Sequence, residues 1–245
     1  MMNLSFQQQV ERFVESAISE FHERRAANVQ SLELVQVLSA KNPYLFRAKH
    51  LESAADLVRA ILDARLSSAE EGMFGEFLEG LAKFVAQEKC GGKKSSTTGI
   101  DIDLEREGVR YLIAVKSGKS WSNSSSMKKL KENFQTARRV LKQDKKVGEI
   151  QPTIAICYGR TKRVDNGAFL KVCGQDFWEL ISGEPELYVD IIEPIGYRAR
   201  EFNDEFIAKR DQALNRMVRE FTEKFCMPDG KIDWQKIVTR VSKTS

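Results

Sequence analysis

Two aspartates and a lysine, Asp101, Asp103 and Lys116, stand in the run GIDIDLEREGVRYLIAVK from Gly99 to Lys116. Carboxylates are the oxygen donors that hold a hard divalent cation, and a lysine beside them can orient an attacking water or meet charge developing on a phosphoryl group. Hydrolysis of a phosphoester is therefore the chemistry these residue types could perform. The same residues also suit an ordinary half-exposed hairpin, where an acid and a lysine pair across two strands.

Spacing decides whether they can meet. Ile100 to Glu105 alternates strictly and Val109 to Lys116 reads as a second strand, so Glu107-Gly108 predicts a two-residue turn between them. That turn sets Arg106 opposite Val109, Asp103 opposite Leu112, Asp101 opposite Ala114 and Gly99 opposite Lys116. With the period of two, Asp101, Asp103, Ala114 and Lys116 share one face. Ile100, Ile102, Leu104, Tyr111, Ile113 and Val115 share the other, which reads as the buried one.

The elements around the hairpin must position it. Phe6, Val10, Phe13, Val14, Ile18 and Phe21 recur at helical spacing and predict a helix from Leu4 to about Ala27. Asn42-Pro43-Tyr44 breaks the pattern, and a helix is expected near Ser53 to Arg65. Ser68 with Glu71 reads as a capping box opening a further helix to about Gln87, with the stripe Phe74, Phe77, Leu78, Leu81, Phe84 and Val85. CGGKKSSTT, Cys90 to Thr98, reads as a mobile loop. After the hairpin come a helix from Met127 to Lys142, a buried strand from Thr153 to Tyr158, a short strand from Phe169 to Cys173 and a helix from Gln175 to Ile181. Phe177, Trp178 and Leu180 are assigned to the core. Helices from Phe202 to Phe225 and from Trp234 to Val241 close the chain. No linker divides it, so one domain over 1–245 is expected: a helical region 1–66, a core 67–182 and a second helical region 183–245.

Composition excludes several classes. Two histidines, His22 and His50, cannot furnish a multi-imidazole metal site, and with so few a Ser-His-Asp mechanism is disfavoured. The cysteines Cys90, Cys157, Cys173 and Cys226 are dispersed without a C-x-x-C pair, which points away from a zinc cage or a disulfide framework. No apolar run reaches the roughly 20 residues of a membrane span, and the N-terminus does not resemble a signal peptide, so the cytoplasm is the expected location.

The net charge is only +4, yet Lys116 to Arg163 holds thirteen Lys and Arg against three acids, Glu132, Asp144 and Glu149. Such a stretch suits a phosphate-facing surface or a solvated charged helix. Within it, Lys119, Trp121, Asn123, Ser124 and Lys128 follow directly on Lys116, and Arg160 and Arg163 follow the buried strand. They are the candidate DNA-binding residues, with backbone positioning expected before base readout.

The hairpin resembles the PD-(D/E)XK nuclease superfamily, and VKSGKSWSNSSS and KVCGQDFWELISG resemble a group of type II restriction endonucleases. The resemblance implies an α/β (α+β) fold with a restriction-endonuclease-like αβββαβ core, its mixed central sheet flanked by helices, and N- and C-terminal helical extensions. It implies Mg²⁺ as cofactor, double-stranded DNA cut at a specific sequence as substrate, a homodimer, and a cognate methyltransferase. Asp101 matches the first position of the motif, as a metal ligand and catalytic residue, and Lys116 matches the last. The middle acid is replaced by Ala114. Asp103, on the face of Asp101, is the first substitute metal ligand to consider. Glu79, on the preceding helix, is the second, as ligand and catalytic residue. Glu132 points away from the apolar stripe of its helix, Glu71 is taken for the capping-box acid, and Glu76 faces away. A repair or recombination nuclease on the same core and an inactive DNA-binding scaffold are the alternative functions.

Overall fold

The computed structural model describes residues 5–121, 123–143 and 148–244. Leu4 of the first expected helix, Ser122 of the basic loop, and Asp144, Lys145 and Lys146 of the basic stretch lie outside them. In chain order the elements are α1 (Phe6–Ser31), α2 (Leu34–Ser39), α3 (Pro43–Ala48), α4 (Ala54–Cys90), β1 (Lys93–Lys94), β2 (Ile102–Arg106), β3 (Val109–Lys116), α5 (Ser124–Leu141), β4 (Glu149–Ile156), β5 (Val164–Asp165), β6 (Leu170–Cys173), α6 (Gln175–Ser182), α7 (Leu187–Asp190), α8 (Ile192–Ile195), α9 (Ala199–Phe225) and α10 (Trp234–Ser242). From α4 to β4 the order is αβββαβ, as the resemblance implies. Two compact units emerge, one of Met1–Ile18 and Phe74–Tyr197, the other of Ser19–Met73 and Arg198–Ser245.

The first unit holds a six-stranded mixed sheet in the order β1-β2-β3-β4-β6-β5. β1, β2 and β3 run antiparallel, β3, β4 and β6 parallel, and β5 antiparallel to β6. Leu130, Phe134 and Ala137 of α5 pack with Ile100, Leu112, Ala114, Ile150, Ile154 and Phe169. Ile113, Val115 and Ala155, which alternate with those residues along β3 and β4, are buried as well. Central parallel strands are covered on both faces. The face of Ala114, expected from the hairpin alone to be the open one, thus lies under α5, and Ala114 is fully buried in an apolar cluster. In α6, Phe177, Trp178 and Leu180 are buried as expected, with Trp178 Nε1 donating to Cys157 O at 2.9 Å.

The second unit is helical around its own core, in which Leu34, Val37, Phe46, Leu57, Leu62, Met217 and Phe221 are buried. Two sequence signals resolve differently here. Asn42 caps α3 by accepting from Tyr44 N at 3.0 Å, with Pro43 at its first position, so this triplet starts a helix as well as ending one. Ser68 does not open a helix. Its hydroxyl donates to Ala64 O at 3.1 Å, one turn back, and α4 runs unbroken for 37 residues. Among the described residues, no helix is long and apolar enough to cross a membrane.

Candidate active site

The hairpin forms in the register its turn dictates. Glu107 and Gly108 both have positive φ, 54° and 78°, the left-handed pair that matches the twist of two antiparallel strands. Arg106 pairs with Val109, Asp103 with Leu112 and Ile102 with Ile113. At its turn end the guanidinium of Arg106 donates to Glu179 O and Leu180 O, at 2.7 and 2.8 Å, placing a cation on the last carbonyls of α6.

At the open end the register departs from simple alternation. Asp101 N donates to Ile113 O at 2.8 Å, although Ile113 is the partner of Ile102. Two consecutive residues thus address one, as in a β-bulge. The extra residue moves Ile100 into the cluster with Leu112 and Ala114, against the parity expected for it. It also turns the Asp101 carboxylate onto β3, where Oδ2 accepts from Val115 N at 2.7 Å.

Asp101 is half-buried, and burial is the main cause that lifts its carboxyl above the ordinary value of 3.8. The Val115 N–H acts the other way. The carboxylate of Glu79 raises Asp101 further, while Lys116 and Lys83 lower it. Glu79, Lys116 and Lys83 thus lie within electrostatic reach of Asp101, with Glu79 and Lys83 supplied by α4, where they form an ion pair. The spacing of four between Glu79 and Lys83 is the sequence signal for that pair, and Lys83 joins the residues expected at the site.

Asp103 is placed differently. Both its oxygens accept from Arg110, Oδ1 from Nε at 2.8 Å and Oδ2 from Nη2 at 2.7 Å. The signal was present in the register, since Arg110 lies diagonally across from Asp103 on the same face. Lys116 is half-buried, with Nζ 5.4 Å from the ring centroid of Trp121. Cys157 donates its N–H to Lys116 O at 2.8 Å, and burial, reinforced by Glu79, pushes its thiol up to about 12. That thiol stays protonated near neutral pH and is no nucleophile.

Because β3 and β4 are parallel with Lys116 beside Ile156, the segments that follow them leave the same sheet end. They also touch. Lys119 Nζ donates to Arg160 O at 2.6 Å, and a Cβ at Gly118 would stand 2.5 Å from Tyr158 Oη. Ser124, Lys128, Arg160 and Arg163 are exposed and Trp121 is half-buried. Asn123 caps α5: its side-chain oxygen accepts from Ser126 N at 2.9 Å, and its own N–H donates to Ser126 Oγ at 3.0 Å. Glu132 is exposed on α5.

Among the described residues, no three His, Cys, Asp or Glu side chains gather as a ready metal cage. Mg²⁺ needs no such cage, because it is held by one or two carboxylates, waters and substrate phosphates. The oxygen donors of Asp101 and Glu79 fit it by number and by chemistry.

A family model described as Type II restriction endonuclease EcoO109I matches residues 8–203, about four-fifths of the chain. The match takes in Glu79, the hairpin, both basic segments and α6. No curated protein matches the chain.

Proposed function

The chain belongs to the type II restriction endonuclease EcoO109I family, and from that premise we propose that it hydrolyses phosphodiester bonds of double-stranded DNA at a specific sequence with Mg²⁺ as cofactor. The observation that carries the reading is the half-buried Asp101 carboxylate, held by the Val115 N–H and within electrostatic reach of Glu79 and Lys116. Asp101 and Glu79 would hold the cation, and the second acid comes from α4 because both oxygens of Asp103 are engaged by Arg110. Ala114, buried under α5, contributes no ligand. When bound, Mg²⁺ supplies Lewis acidity toward the phosphate and lowers the pKa of water.

The protein's own groups do the rest. The bulge and the Val115 N–H fix the direction of the Asp101 carboxylate. Burial keeps water from screening its charge, so a cation arriving there is drawn strongly by Asp101 and by Glu79, whose ion pair with Lys83 it must share. Lys116, carried on the rigid strand beside them, orients the attacking water and meets the negative charge that develops on the phosphate. Lys119, Trp121, Ser124, Lys128, Arg160 and Arg163 rim the same sheet end and grip the DNA backbone. Asn123 serves that rim by starting α5. A palindromic site calls for a two-fold dimer, and protection of host DNA calls for a methyltransferase of the same specificity.

Incubation of the purified protein with unmethylated phage DNA and Mg²⁺ tests the reading. Discrete fragments are expected, with at least about a 10³-fold loss in Asp101→Ala and in Lys116→Ala. No cleavage of any DNA with Mg²⁺ or Mn²⁺ would overturn it, and retained duplex binding would then mark a DNA-binding protein on a nuclease scaffold.

A further inference from the structure

Part of CGGKKSSTT takes regular structure, where composition predicts a loop. Lys93 and Lys94 form β1, the edge strand, with Lys94 beside Ile102 and Lys93 beside Asp103. Thr97 N donates to Ser95 Oγ at 3.1 Å, and Ile100 N to Thr97 O at 3.1 Å, so the return from β1 to β2 is a folded turn. The pairing sets its place. Lys94 stands one strand spacing, about 5 Å, from the residue that follows Asp101. The turn therefore sits at the sheet end where Lys116 and Ile156 finish their strands.

Lys93, Lys94, Ser96 and Thr98 are exposed. Among the described residues, neither lysine side chain has an ion pair or a hydrogen bond, and the acid nearest Lys93 in the ladder, Asp103, is already neutralised by Arg110. Two uncompensated cations and two free-standing hydroxyls beside Asp101 match the chemistry of a phosphodiester backbone. Alternation sends the two lysines to opposite sides of the edge, so a backbone crossing that edge meets one from each side.

We propose that β1 and its turn form a second DNA-backbone grip, across Asp101 from the segments of Lys119 and Arg160, with Lys93 and Lys94 each neutralising one phosphate. The proposal rests on the reading of the chain as a DNA-cleaving enzyme. The competing role for lysines on an edge strand is to block pairing with other sheets.

Binding of a labelled random-sequence duplex, followed by fluorescence anisotropy in EDTA between about 50 and 200 mM salt, separates the two. For Lys93→Ala/Lys94→Ala the slope of log K against log salt should become shallower by about 1.8, or about 0.9 for each phosphate. Lys93→Gln/Lys94→Gln, which keeps side-chain length on the strand, should lose the same amount, and Lys93→Arg/Lys94→Arg should keep the parent slope. A folded Ala or Gln variant that binds with the parent slope, whether or not it aggregates, overturns the proposal and leaves the enzyme reading intact. A parent protein that binds no duplex in EDTA overturns this proposal alone, and one that also cuts no DNA with Mg²⁺ or Mn²⁺ removes the enzyme reading with it.

Discussion

The two ends of the β2–β3 hairpin carry the same kinds of residue and use them in opposite ways. Toward the turn, Asp103 and Arg110 neutralise each other through two short hydrogen bonds, and Arg106 caps α6. At the open end, Asp101 receives one backbone N–H, is pushed toward its neutral form by burial, and has a second acid, Glu79, acting on it. One end is electrostatically closed, and the other is the end that the proposed function completes with a cation and a substrate. A carboxylate on a hairpin is therefore structural or chemical according to what its neighbours leave undone, and a bulge of one residue separates the two cases here.

The contrast is open to attack by substitution. The largest expected effect after removal of Asp101 or Lys116 is that of Glu79→Gln, which should lower the cleavage rate roughly 10²-fold and raise the Mg²⁺ concentration needed for half-maximal rate. A rate within a few-fold of the parent would place the second ligand elsewhere. Asp101→Asn should raise the melting temperature at pH 7 while abolishing cleavage. The sign follows from its raised pKa: ionising Asp101 disfavours the fold, so its contribution to stability is greatest below the ordinary value of 3.8 and is lost as pH rises through the raised folded value. The gain in melting temperature should accordingly vanish near pH 3, and Mg²⁺ should narrow it at pH 7 by stabilising the parent alone.

At the closed end the expected pattern reverses. Asp103→Asn should leave cleavage within a few-fold of the parent and cost about 1 kcal/mol in denaturant unfolding, since the pair is half-exposed and bidentate. A loss as deep as that of Glu79→Gln would return Asp103 to the metal site. The smallest effect belongs to the turn. Glu107 adopts φ 54°, which asparagine tolerates better, so Glu107→Asn should stabilise by about 0.5 kcal/mol with no change in cleavage.

Much of this was legible in the residues. The hairpin register followed from Glu107-Gly108, since a two-residue turn leaves only one pairing for the strands it joins. The helix from Met127 to Lys142 was legible as well, and the buried Phe177 and Trp178 followed from a helix that must cover the sheet. Signals with two local solutions were the ones misread. Ser68 with Glu71 satisfies the pattern of a helix start, but its hydroxyl found the Ala64 carbonyl within a longer helix. Lys93-Lys94 has no apolar residue to mark a strand, and only the edge of β2 makes it one.

Local spacing is enough to put Asp101 and Lys116 near one end of a hairpin with a basic stretch after them, because turn geometry and a period of two act between near neighbours. Packing of the whole chain was needed to carry Ile100 to the α5 face, to bury Ala114 there, to give Asp103 to Arg110, and to bring Glu79 of α4 within electrostatic reach of Asp101 and the segment of Arg160 to the same sheet end. Those outcomes depend on packing between elements far apart in the chain, where burial and charge set each side chain's partners and no local spacing records the choice.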